Sequence, residues 1–390
     1  MKFDFTRYAA LPGIPALLDA LGAGDGQVRY VGGIVRDTLL GETASDIDMA
    51  TVHDPQEVVR RLEAAGIKAV PTGIDHGTVT AVSDHTVVEV TTLRADVETD
   101  GRRATVAYTD DWKEDAARRD FTINALYADP LTGAVSDYFG GLGDLDGGIV
   151  RFIGDPLERI AEDHLRILRF FRFHARFGEG APDAAGLAAC AQRANDLMAL
   201  SRERIADEIL KLLGLADPTP TVRTMNEAGI FAPVLPEISA QGVEGLAALT
   251  SFEREHNLDT SPIRRLAALL PSEPDAGRDV ASRLKLSNDD KSRLVAALTC
   301  GDMPPRELAY RLGRTKAEDR LALMQDASGI AALRDFTIPT LPIKGGELIE
   351  RGVEKGPDVA RTLRAIEDAW IDAGFPTGKT FEEIVAEKLA

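Results

Sequence analysis

An apolar stretch, Val28-Arg29-Tyr30-Val31, runs directly into Gly32-Gly33-Ile34-Val35-Arg36-Asp37, and Asp46-Ile47-Asp48 follows shortly after. This succession of strand, glycine turn, short helix and acidic strand constrains the chain more than any other feature. A Gly-Gly step carries no Cβ, so backbone N–H groups can approach a phosphate closely. Arg36 then adds positive charge. Carboxylates at i and i+2 of a strand point to one face, which lets Asp46 and Asp48 chelate one or two divalent ions. Each piece has a plainer reading: Gly32-Gly33 as a simple turn, Asp46 and Asp48 as a solvated strand end, Arg36-Asp37 as a surface ion pair of about 0–1 kcal/mol. Joined in one segment they explain one another, as the parts of a site for metal-assisted nucleotidyl transfer.

Further blocks follow in order: Arg118-Arg119-Asp120-Phe121-Thr122-Ile123-Asn124-Ala125-Leu126, then Asp155-Pro156 through Glu162-Asp163-His164-Leu165-Arg166-Ile167-Leu168-Arg169, then Ser201-Arg202-Glu203-Arg204-Ile205 with Glu208. With Gly32 to Gly41 and Ser45 to Thr51, the chain resembles the class II tRNA nucleotidyltransferase and bacterial poly(A) polymerase family over about residues 28 to 213. The resemblance implies an α+β fold whose palm-like β-sheet head, the nucleotidyltransferase domain, precedes an all-helical neck, body and tail. It also implies a Mg2+-dependent, two-metal reaction on CTP and ATP, with tRNA as partner and no role for DNA.

The pattern along the chain agrees with that outline. Short apolar runs at residues 28–31, 68–71, 79–82 and 87–91 read as strands, and residues 14–21, 35–40 and 55–65 as helices. The last helix enters through Asp54-Pro55, an N-cap followed by proline. A glycine-rich joint, Gly140 to Gly148, closes the head. Beyond Pro156 apolar residues recur every three or four positions, Pro218 and Pro220 interrupt, and helices are expected again at 262–270 and 289–298. The expected division is 1–148 for the catalytic head, 149–215 for a helical neck with a nucleotide-selecting motif, and 216–390 for a helical body and tail that would dock tRNA.

With 390 residues the chain is long enough for two or three domains. Two cysteines, Cys190 and Cys300, make neither a disulfide framework nor a multi-cysteine zinc site. With no signal-peptide core and no run of about 18–20 apolar residues, a cytoplasmic protein without a membrane partner is expected. Its net charge of -18 argues against nucleic-acid binding. The local field near the docking surface decides phosphate contact, however, and arginines cluster at Arg166, Arg169, Arg172 and Arg176. Arg172 and Arg176 are candidate RNA contacts; on a solvated helix face they would be decoration.

Glu89 lies among β-branched residues, either facing solvent at a sheet edge or standing as a third acidic group beside the metals. The resemblance favours the second. Asp120 fits a helix N-cap, and the resemblance adds that Asp120 and Asn124 bind ribose or phosphates while Arg119 takes a triphosphate oxygen. Asp163 and Arg166, three apart on an expected helix, would make an ordinary salt bridge of roughly 0.2–0.5 kcal/mol. They also match a base edge. The carboxylate accepts from an amino group and the guanidinium donates to a ring nitrogen or carbonyl, a pattern that suits cytosine and adenine and opposes uracil and guanine. The resemblance implies that such a pair replaces a nucleic-acid template in CCA addition.

Within the family, Gly73-Ile74-Asp75-His76-Gly77-Thr78-Val79-Thr80 resembles the CCA type, and residues 94–115 resemble the intact loop that CC-adding enzymes lack. Poly(A) polymerase and CC-adding enzyme are the alternatives inside the family, and a catalytically silent RNA-binding protein is the alternative outside it. No histidine pairs with a Ser or Cys nucleophile, so no covalent intermediate is expected.

Overall fold

The computed structural model describes residues 3–96, 106–299 and 301–390, and the chain divides into two compact units, Met1–Pro236 and Glu237–Ala390. Part of the 94–115 loop, residues 97–105, lies outside the described residues. The strands in chain order are β1 (Val28–Val31), β2 (Asp48–Thr51), β3 (Lys68–Gly73), β4 (Thr78–Ser83), β5 (Thr86–Thr92), β6 (Arg94–Asp96), β7 (Val106–Tyr108), β8 (Leu126–Ala128) and β9 (Val135–Asp137). Seven of them form one sheet in the order β3-β4-β5-β2-β1-β8-β9, and β6 pairs with β7 in a separate ribbon. Every pairing in the large sheet is antiparallel except β2 with β5, which run parallel with Asp48 opposite Glu89.

Alternation decides the two faces. In β4 and β5, Val79, Ala81, Val88 and Val90 are buried, whereas Val87 and Glu89 point to the open side. Since β5 lies between β4 and β2, Glu89 sits on an interior strand rather than at an edge. The buried side packs on the helix Pro55–Ala64, which turns Val58 and Leu62 inward and is capped by Asp54 accepting from the Glu57 N–H at 2.8 Å. β8 and β9 were not among the expected strands. Each spans three residues, and Leu126, Tyr127 and Ala128 are buried on both faces, so neither shows a period-two pattern.

The glycine-rich joint is itself a short helix, Gly141–Asp146. A Cβ on Gly141 would collide with the Thr122 carbonyl, so glycine there permits the close approach. Pro218 and Pro220 begin a helix, Thr219–Glu227, where an interruption was expected, because proline suits the first helical turn. In the segment 149–215, expected as the neck, the α-helices are Pro156–Glu162, Arg166–Phe177, Ala184–Gln192 and Arg202–Leu213, with Asp155, Asp183 and Ser201 as N-caps. An aromatic cluster joins head to neck: Phe121, fully buried, lies 5.0 Å from Phe152, 5.3 Å from Phe173 and 6.3 Å from Phe170 between ring centroids.

The second unit is helical among its described residues. Glu253, on the helix Ala240–Glu255, accepts from both Arg264 and Arg265 on the helix Pro262–Ala268, and Asp319 accepts from Arg264 and Arg293. Glu253, Arg264, Arg265 and Asp319 are buried, and each is ion-paired. Trp370 anchors a separate apolar cluster with Leu348, Ile366 and Phe381. Among the described residues, no helix is long and apolar enough to cross a membrane.

Truncating Phe121 removes the ring shared by head and neck. Phe121→Ala should lower unfolding free energy by about 3–5 kcal/mol in urea titrations, and a loss under about 1 kcal/mol would show that the ring does not join the two parts.

Candidate active site

Gly32 ends β1 with φ 71° and ψ -122°, a conformation strained for any L side chain. Its N–H donates to the Leu126 carbonyl at 3.0 Å, and the position a Cβ would take lies 3.4 Å from the Arg119 guanidinium. Gly33 opens the helix Gly33–Leu39. The glycine pair therefore clears the space over which Arg119 stands. Arg119 itself is fixed from behind: Nε donates to the Tyr127 hydroxyl at 3.1 Å, one terminal nitrogen to Asp115 at 3.1 Å, and Tyr127 donates to Asp115 at 2.6 Å. Burial opposes its charge, but Tyr127 and Asp115 outweigh burial and hold the guanidinium above its ordinary value.

Asp46, Asp48 and Glu89 line one cavity of about 620 Å³ with Ser45, Ile47, Thr86 and Val87. Their spacing works differently from the expected i and i+2 strand geometry. Only Asp48 belongs to a strand; Asp46 lies in the preceding bend, and the second carboxylate on the sheet face is Glu89, brought alongside by the parallel register. Burial first, then Glu89 and Asp46, push the Asp48 carboxyl up to about 6, and Arg119 partly offsets them. Crowded carboxylates of this kind suit a hard divalent cation. Among the described residues no three such groups close into a ready metal cage, so water and substrate phosphates would complete the shell.

A second cavity, about 320 Å³, is lined by Arg94, Asp115, Arg118, Arg119, Asp120, Asp163, Arg166 and Arg169. Five arginines face three aspartates there, so the cavity is locally cationic in a chain of net charge -18. Asp163 and Arg166 both reach it, but the helix expected to carry them breaks between them. Asp163 is an extended residue (φ -147°, ψ 106°) that ends Pro156–Glu162, and Arg166 begins the next helix. They make no ordinary helix-surface salt bridge. Arg166 donates to the carbonyls of Arg159 at 2.9 Å and Arg118 at 3.1 Å and pairs with Glu162. Asp163 accepts from the Leu165 N–H at 3.1 Å and from Arg204 at 2.8 Å.

The remaining expected residues serve the walls. Arg36 and Asp37 are buried, paired at 2.7 Å, and not a surface ion pair; Arg36 also bonds Asn124 and lies over Phe177. Asn124 donates to Asp120 at 3.0 Å, and Asp120 accepts from Arg169 at 2.6 Å. Asp120 caps no α-helix; a single 3-10 turn, Thr122–Asn124, follows. Arg172 donates to Glu208 at 2.6 Å, and Arg176 reaches Asp37 at 3.4 Å and Glu42 at 2.9 Å, so both guanidiniums tie parts of the chain together. Arg94, Asp115, Arg118 and Tyr127 were not expected as site residues. Arg118 stands in a motif block and Arg94 and Asp115 bound the 94–115 loop, but tertiary packing brings them and Tyr127 to the site.

The family profile described as "Poly A polymerase head domain" matches residues 28–151, and that described as "Probable RNA and SrmB- binding site of polymerase A" matches residues 183–241. The human mitochondrial CCA tRNA nucleotidyltransferase 1 is 31% identical over 97% of this chain and 91% of its own. The CCA-adding enzyme of Lacticaseibacillus paracasei is 32% identical over 96% of each. A crystal structure of the Bacillus stearothermophilus CCA-adding enzyme in complex with CTP superposes with a TM-score of 0.77 at 26% identity, covering 97% of this chain and 98% of that one. The chain belongs to the tRNA nucleotidyltransferase and poly(A) polymerase family, among its CCA-adding members.

Burial would raise the Asp120 carboxyl; Arg169, Asn124 and the Phe121 N–H together bring it below its ordinary value. Its stabilisation is therefore present above the usual carboxylate range, about pH 4, and is lost as pH falls through the depressed value. The urea midpoint of the wild type should exceed that of Asp120→Asn most clearly above about pH 5, with the gap closing towards about pH 3. A gap constant across that range would mean that the charge of Asp120 does not contribute.

Proposed function

We propose that this protein adds CCA to the 3′ end of tRNA from CTP and ATP, without a nucleic-acid template. The observation that supports it most directly is the second cavity, where a carboxylate acceptor and a guanidinium donor stand beside the arginines that would hold a triphosphate. Adenine offers amino N6 beside acceptor N1, and cytosine amino N4 beside acceptor N3; Asp163 and Arg166 match both. Uracil and guanine offer a carbonyl beside a ring N–H, leaving acceptor against acceptor and donor against donor. Mismatched buried polar groups of this kind can be rejected on the order of 10⁴-fold.

Arg119, with the bare backbone of Gly32 and Gly33 beside it, receives the phosphates. Asp46 and Asp48 would hold magnesium, with Glu89 adjoining, and the ion would lower the pKa of the primer 3′-hydroxyl and neutralise developing phosphate charge. That hydroxyl then attacks the α-phosphorus in line and pyrophosphate leaves. Arg169 holds the Asp120 turn against the neck, which keeps base and phosphate subsites in one frame. The CCA-adding relatives favour CCA over a poly(A) product. A cytoplasmic setting fits the two cysteines, too few for a disulfide framework.

With a tRNA lacking its 3′ end, three additions ending in A are expected, whereas a long A tract would make the protein a poly(A) polymerase and two C residues a CC-adding enzyme. Asp46→Ala and Asp48→Ala should each abolish incorporation with an unchanged circular dichroism spectrum; near-normal primer extension by both would remove the metal assignment. Replacing Asp163 and Arg166 together by Ala should lower kcat/KM for CTP and ATP by at least about 100-fold and erode the preference over UTP and GTP. A preserved ratio would return the pair to a structural role.

A further inference from the structure

The block from Ser201 to Glu208 has no part in the chemistry described so far, yet it touches the base-reading pair. Asp163 is released from helical geometry by the break after Glu162, so no helix backbone fixes its side chain direction. Two contacts do. One oxygen accepts from the Leu165 N–H at 3.1 Å, and the other accepts from the Arg204 guanidinium at 2.8 Å. Arg204 stands in the first turn of Arg202–Leu213, a helix whose start is fixed by Ser201 accepting from the Arg204 N–H at 3.4 Å. Farther along, Glu208 accepts from Arg172 of the helix that begins with Arg166. The same helix pair thus supports both members of the reading pair, Arg166 through its own backbone and Asp163 through Arg204. Arg204 is not among the residues that line the base cavity, and it reaches the cavity through its bond to Asp163.

From this arrangement we infer that Arg204 is a positioning residue for nucleotide selection: its charge-assisted hydrogen bond aims the Asp163 carboxylate at the amino group of the incoming base. The inference rests on the reading of Asp163 as the amino-group acceptor. It assigns the Ser201 block a task in specificity beyond helix capping. Leaving the carboxylate held only by the Leu165 N–H would let it swing from the base edge.

The test uses the full-length enzyme, a tRNA ending in CC, and two triphosphates, ATP and purine riboside triphosphate, which keeps N1 but lacks the amino group. Wild type should prefer ATP strongly. Arg204→Ala should lower kcat/KM for ATP by about tenfold to a hundredfold, the range of one charge-assisted hydrogen bond. The same variant should change kcat/KM for purine riboside triphosphate by less than about twofold, since a substrate without the amino group gains nothing from an aimed acceptor. Arg204→Lys, which retains a donor, should recover part of the ATP preference. Equal losses on both substrates, or an unchanged ATP preference in Arg204→Ala, overturn the inference while leaving Asp163 as the reader. A wild type that uses both substrates equally removes the reading of Asp163 and this inference with it. Thermal unfolding of the variants separates these results from misfolding: if Arg204→Ala is unfolded, Arg204→Met, which keeps the length and lacks the donor, carries the comparison, and a folded Arg204→Met that keeps its ATP preference overturns the inference.

Discussion

Asp120 is buried between the helix Trp112–Ala117 and the turn Thr122–Asn124, and three donors converge on its carboxylate: the Phe121 N–H, the Asn124 amide and the Arg169 guanidinium. An ionised group in such a place is tolerable because a guanidinium and two N–H donors offset its desolvation. Asn124 leads to Arg36 and so to the glycine turn; Arg169 leads to the neck helix and, at 3.9 Å, to Glu208. The backbone next to Asp120 also leads into the aromatic cluster around Phe121. The glycine turn, the helix Arg166–Phe177 and the aromatic cluster consequently meet at one electrostatic node.

The distribution of charge resolves the conflict between an acidic chain and a polyanionic substrate. Carboxylates gather on the open face of β2 and β5, while five arginines gather in the neighbouring cavity. Arg119 acts on Asp48 as well as lining the cationic cavity, so it stands where the two fields meet. Electrostatic sorting at this scale is local, and the total charge of the chain says nothing of it.

Much of the site was legible because it is written in short, ordered blocks. Gly32, Asp48, Arg119, Asp163 and Arg166 all reach the two cavities or their margins, and a positive φ at Gly32 is the kind of requirement that a Gly-Gly pair announces. The local geometry was less legible. Asp163 and Arg166 have helical spacing, but the break between them is a tertiary choice: Arg166 satisfies carbonyls of Arg159 and Arg118, the second far away in sequence. Arg172 and Arg176 look like a free basic face, and their acidic partners, Glu208, Asp37 and Glu42, become visible only when the chain folds. The strands β8 and β9 are too short to leave a period.

The parallel pairing of β2 with β5 has a kinetic side. Asp48 and Glu89 are separated in sequence by a helix and the strands β3 and β4, and they become neighbours only through the pairing of β5 with β2. Such long-range pairings carry a loop-closure cost and tend to form late in folding. The acidic cluster therefore depends on a non-local pairing that local structure around Asp46 and Asp48 cannot supply. A head whose β5 has not joined β2 lacks Glu89 beside Asp48.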